Sequence, residues 1–237
     1  MTAPLVFIPG WCLGRGPLNV AVDALQGRFF DLPGYADTPL ITDFDAAADA
    51  VAASLPPDAP LAGWSLGAQL ALAVATRHPE KVGKLVLVAG TASFIQRDGW
   101  PHAMPPEMLA EFSAAVIADI EAMLPRFVGG FNRGDARAKA VTQELLQLAD
   151  ARPATPVLAA GLDWLRDVDL RPQLPKITAP TLLIHGANDP LMPLGAAEAL
   201  AAALPNARLA AFAECAHAPF ISRPDEFLAT VHTFLND

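Results

Sequence analysis

Two cysteines, no long apolar run and no surplus of positive charge narrow the functions open to this 237-residue chain. Cys12 and Cys215 stand far apart with no CxxC or metal-ligand spacing, so no disulfide framework and no zinc site is expected, and both thiols should be reduced and buried. Apolar residues make up 53% of the chain, yet no stretch approaches the ~18 residues that cross a bilayer. Met1-Thr2-Ala3-Pro4 carries no basic segment and Leu5 to Ile8 is too short for a signal sequence, so a soluble, cytoplasmic protein without membrane attachment is expected. The formal charge of -9 argues against a nucleic-acid partner. One window runs the other way: residues 126–152 hold five basic side chains (Arg126, Arg133, Arg137, Lys139, Arg152) against three acidic ones, a local +2. The length suits one core-forming domain, expected as a monomer, and nothing suggests a metal or organic cofactor.

The apolar runs Leu5–Ile8, Pro60–Trp64, Lys84–Ala89 and Pro180–His185 read as buried strands, with shorter ones at Arg28–Leu32 and Arg208–Phe212. Between them Phe44–Leu55, Leu66–Arg77, Leu194–Leu204 and Pro224–Leu235 read as helices. This alternation predicts a mostly parallel α/β sheet flanked by helices, built from residues 1–90 and 173–237. Residues 91–172 lack strand patterning and are expected to form a helical insertion, a lid, on that core. In the insertion Met108, Phe112, Val116, Ile120, Met123, Phe127 and Phe131 recur at steps of three and four, placing large soft and aromatic groups on one helical face. That face either seats the insertion on the core or roofs a pocket.

Gly63-Trp64-Ser65-Leu66-Gly67 joins a strand directly to a helix. The Gly-x-Ser-x-Gly spacing suits a sharp elbow that holds a serine hydroxyl at a helix N-terminus, where N–H groups favour developing negative charge. A serine alcohol needs a base, and the base needs orienting. Of the five histidines, His217 alone follows a late strand in a loop at the sheet edge of Ser65, and Asp189 occupies the equivalent edge one strand earlier. Ser65, Asp189, His217 is the chain order of an α/β-hydrolase catalytic triad. The oxyanion donors expected are the Leu66 N–H and an N–H of the Gly10-Trp11 loop, most simply that of Trp11.

Over its whole length the chain resembles the α/β-hydrolase superfamily and, within it, the family of biotin-synthesis carboxylesterases that act on pimeloyl-acyl-carrier-protein methyl esters. The resemblance rests on Gly10-Trp11, Asp31-Leu32-Pro33-Gly34, the elbow, Arg97-Asp98-Gly99-Trp100-Pro101, Asp167-Val168-Asp169-Leu170-Arg171 and Cys215 to Ser222. It implies that Ser65, Asp189 and His217 are the triad, and that Trp11 and Leu66 help to bind the acyl group. It further implies that the segment Phe127, Val128, Gly129, Gly130 and Phe131 lines the acyl channel. Lid arginines of that family hold the acidic carrier protein, which here points to Arg126, Arg133 and Arg137. The chain departs from the family at Pro9-Gly10-Trp11-Cys12, where His-Gly-Trp-Gly is usual, and the usual opening hairpin is expected to be missing. Two other readings remain: a carboxylesterase, lactonase or thioesterase acting on free small-molecule esters, and a non-enzymatic ligand binder of the same fold.

Overall fold

A computed structural model describes residues 3–237; Met1 and Thr2, part of the segment read above for a leader, lie outside the described residues. The elements run β1 (Val6–Ile8), α1 (Asn19–Ala24), β2 (Arg28–Phe29), α2 (Phe44–Ser54), β3 (Ala59–Trp64), α3 (Leu66–Arg77), β4 (Val82–Val88), then four helices without a strand. These are α4 (Pro106–Ala118), α5 (Ile120–Phe131), α6 (Ala138–Leu148) and α7 (Thr155–Asp167), followed by β5 (Thr181–Gly186), α8 (Leu194–Ala203), β6 (Ala207–Phe212), α9 (Pro219–Ser222) and α10 (Pro224–Asn236). The six strands lie in the order β2-β1-β3-β4-β5-β6 and every described pair is parallel. Helix α1 was not foreseen: Asn19–Ala24 is short and follows a Gly-Pro turn, so it has too few residues for a helical period to show.

Strands β1 and β5 are buried on both faces, which is why they read as continuous apolar runs. Each buried Leu, Ile or Val contributes roughly 1.5–3 kcal/mol of transfer free energy, and these strands join the central β3 and β4, on which α3 packs, in one core. The chain leaves β1 in one direction to β2 and returns on the other side of β1 to β3, so the strand order reverses at the β1/β3 boundary. Such a switch point opens a crevice at the carboxyl ends of the strands. Register pairs Ile8 with Gly63, which sets the loop after β1 beside the turn after β3.

The apolar stripe of the insertion is not one helix. Asp119 interrupts it with φ -158° and caps α5 by accepting the Ala122 N–H at 3.1 Å, so the stripe is divided between two helices, α4 and α5. Asp43 plays the same part for α2, accepting from Ala46 N at 2.7 Å, and the preceding Thr42 carbonyl accepts the Trp164 indole N–H at 2.6 Å.

Candidate active site

Ser65 sits between β3 and α3 with φ +57° and ψ -117°, outside the regions an L-residue ordinarily adopts, at a cost of roughly 1–3 kcal/mol. The turn is possible because of its glycines. A Cβ on Gly67 would lie 2.2 Å from the Ile8 carbonyl oxygen, and one on Gly63 would lie 2.2 Å from that of Gly67. Ser65 N donates to Val88 O at 2.9 Å, which pins the elbow to β4, and the Ser65 residue retains only a sliver of exposure, 9%.

His217 and Asp189 form a buried pair. The His217 Nδ1–H donates to Asp189 Oδ2 at 2.7 Å, while Asp189 Oδ1 accepts the N–H groups of Leu191 at 2.9 Å and Met192 at 3.0 Å. A carboxylate held on both oxygens assigns the imidazole proton to Nδ1 and leaves the Nε2 lone pair free. The loops that carry the two residues touch each other closely: Asn188 N donates to Cys215 O at 2.9 Å, and a Cβ on Gly186 would lie 2.1 Å from the Ala216 carbonyl oxygen. Trp64 adds a further tie, its indole N–H donating to His217 O at 2.9 Å.

Ser65 and His217 line one cavity of about 350 Å³ together with Gly10, Trp11, Phe94, Met108, Phe112, Met123 and Phe127. That volume falls in the range of small-molecule sites, about 300–1,000 Å³. The broken stripe thus serves both purposes foreseen for it. Val116 is buried in the core, while Met108, Phe112, Met123, Phe127 and Phe131 face the cavity. Trp11 packs edge-on to Phe112 and Phe127 at 5.8 and 5.4 Å, and its indole N–H donates to Leu158 O at 3.0 Å.

Of the five residues 127–131, Phe127, Gly130 and Phe131 line the cavity; Val128 and Gly129 do not. The helical period turns those two toward α6: Val128 is fully buried, and the atom nearest a Cβ on Gly129 is Thr142 Cγ2. The three arginines also divide. Arg126 and Arg133 line the cavity; Arg137, itself exposed, does not, and its guanidinium donates to Ile221 O at 3.2 Å and Ser222 O at 3.0 Å. Leu66 is buried beneath the site, where its backbone N–H opens α3.

Three residues that the sequence did not single out hold this arrangement. Asp135, buried, accepts Ala216 N at 3.0 Å and Arg137 N at 2.7 Å, stapling the insertion to the loop of His217. Tyr35 accepts the amide of Cys12 at 2.8 Å. His185, buried in β5, donates from Nε2 to Met192 O at 2.6 Å, and the same nitrogen lies 3.8 Å from Asp189 Oδ2. The nearest signal for His185 was its place four residues before Asp189; for the other two no local pattern existed. Burial pushes the Cys215 thiol up to about 12 and raises that of Cys12 too, so neither is a nucleophile near neutrality. Among the described residues, no group of three or more His, Cys, Asp and Glu could hold a metal ion, and no helix is long and apolar enough to cross a membrane.

Burial also holds His185 below the ordinary histidine value, against the opposing pull of Asp189 and the Met192 carbonyl. The folded chain therefore refuses a proton that the unfolded chain takes up below about pH 6.5, and stability should fall as pH drops through that range. The thermal midpoint, followed by calorimetry from about pH 7.5 to 5, should decline, and His185→Asn should decline less steeply. Parallel curves would show that His185 is not the group responsible.

A model of the alpha/beta hydrolase fold matches residues 3–224. The pimeloyl-(acyl-carrier protein) methyl ester esterase of Aromatoleum aromaticum is 41% identical over 236 residues, covering 94% of each chain. The protein of the same name from Nitrosomonas europaea is 36% identical over 233 residues, covering 95% of this chain and 92% of that one. Among solved structures, an esterase from Exiguobacterium antarcticum superposes with a TM-score of 0.90 at 25% identity, covering 99% of this chain and 92% of that one. Matched over more than nine-tenths of its length by such relatives, this chain belongs to the α/β-hydrolase family and, within it, to the pimeloyl-(acyl-carrier protein) methyl ester esterases.

Proposed function

We propose that this protein is a serine carboxylesterase that cleaves the methyl ester at the end of an acyl chain carried on acyl-carrier protein, the pimeloyl ester of biotin synthesis. The observation that carries this reading is the strained Ser65 and His217, the latter bonded to buried Asp189, lining one largely apolar cavity. Ser65 Oγ attacks the ester carbonyl while His217 Nε2 takes its proton. The N–H groups of Leu66 and Trp11 hold the tetrahedral oxyanion. Collapse breaks the C–O bond, and His217 returns the proton to the departing methoxide, which leaves as methanol. A water molecule, deprotonated in turn by His217, then frees the carboxylate and restores Ser65. Asp189 keeps the imidazole in its working tautomer throughout and stabilises the imidazolium.

Apart from Ser65 and His217, the cavity wall is apolar except where Arg126 and Arg133 reach it, and this supports an extended chain within and an acidic carrier outside. A protein at -9 repels such a carrier at long range, so a local patch of opposite sign has to guide the encounter. Exposed charge pairs contribute only ~0.2–1 kcal/mol each, so single changes should be mild. Reversing both, Arg126→Glu with Arg133→Glu, should lower kcat/KM for carrier-linked methyl ester by on the order of tenfold or more, with a p-nitrophenyl ester affected far less. Raising salt should imitate the double change, since a Debye length of about 10 Å at 0.1 M screens a rim patch. Arg137, tied to two core carbonyls, should instead lower the thermal midpoint when replaced by alanine. Equal loss on both substrates, or on neither, leaves an esterase of free small molecules.

A further inference from the structure

Cys12 has φ +68°, in the left-handed region that glycine adopts freely and other residues rarely do. It is buried, so its N–H has no water to turn to, and that N–H is taken up by the Tyr35 hydroxyl at 2.8 Å. Tyr35 is itself fixed by its own turn, Tyr35 N donating to Leu32 O at 3.0 Å and Thr38 N to Tyr35 O at 3.1 Å. The peptide that carries the Cys12 N–H also carries the Trp11 carbonyl, which accepts Leu13 N at 3.0 Å. On its other side, Trp11 follows Gly10, whose Cβ would lie 2.9 Å from the Trp64 ring. The Trp11 backbone is therefore held at both ends, and the Tyr35 hydroxyl is one of the two holds.

We propose that Tyr35 is a positioning residue for ester hydrolysis: its hydroxyl accepts the Cys12 amide, keeps Cys12 in left-handed backbone and so keeps the Trp11 N–H turned toward the cavity beside Ser65. This rests on the reading of Trp11 as an oxyanion donor. Without the hydroxyl, a residue with a Cβ at position 12 has reason to leave the left-handed region and to take the neighbouring peptide with it. A glycine at position 12 has no such reason.

Four proteins test this on p-nitrophenyl acetate: wild type, Tyr35→Phe, Cys12→Gly and the double variant. Tyr35→Phe should lower kcat about ten- to a hundredfold with KM within about threefold, because misplacing one oxyanion donor removes stabilisation made only in the transition state. In the Cys12→Gly background the same loss of hydroxyl should change kcat by less than about threefold. Tyr35→Phe within about twofold of wild type, or an equal loss in both backgrounds, overturns the proposal. Amide hydrogen exchange in the wild type needs no variant: the Cys12 N–H should be protected, and exchange at open-loop rates also overturns it. Ser65→Ala is assayed alongside; retained activity there would remove the catalytic reading, and the positioning role with it, whatever the exchange at Cys12 shows.

Discussion

Ser65→Ala should lower kcat on the p-nitrophenyl ester by on the order of 10⁵–10⁶, with His217→Ala nearly as damaging and the double variant little worse than either. Triad members act as a unit, so removing the nucleophile leaves the base nothing to activate, and the residual rate comes from binding and the oxyanion donors alone. The geometry makes Ser65 the residue to change. It is the hydroxyl at the strained elbow, and it shares its cavity with the imidazole of His217. Single-turnover assays on rigorously purified protein give the measurement. A Ser65→Ala sample that keeps more than about a tenth of the activity would sink the assignment.

Asp189→Asn should cost on the order of 10⁴ in kcat with little change in KM, and the hydrogen bonds around the carboxylate say why. Oδ1 accepts two backbone N–H groups, from Leu191 and Met192, so an asparagine at 189 will keep its carbonyl oxygen there. Its NH₂ then occupies the place of Oδ2 and donates to His217 Nδ1. The imidazole proton is driven to Nε2, and the base can no longer accept there. The side chain is fully enclosed, so water offers the imidazole no alternative partner. Activity near wild type in Asp189→Asn would mean that another group orients His217.

Much of the molecule was legible before its structure. Buried parallel strands read as apolar runs because both of their faces are covered, and the Ser65 elbow was legible because its glycines answer to carbonyl oxygens at 2.2 Å. Asp189 and His217 could be picked from chain order, as loop residues after late strands at one sheet edge. The insertion was read less well. Its periodic stripe runs on across Asp119, and spacing alone does not reveal that a capping side chain ends one helix and begins the next.

By itself the sequence determined the α/β alternation, the elbow and the chain order of Ser65, Asp189 and His217, since each of these depends on a few neighbouring positions. Only the tertiary structure decided which side of α5 meets the cavity, leaving Val128 and Gly129 off it, and which arginines stay there, drawing Arg137 away to the carbonyls of Ile221 and Ser222. It also decided what holds the site in place: Tyr35 on Cys12 across 23 positions, Asp135 on Ala216 across 81. Such bonds join groups whose separation along the chain has no period. A side chain that accepts an amide 81 residues away has the same local neighbours as one that meets only water, and the difference exists once the chain has folded.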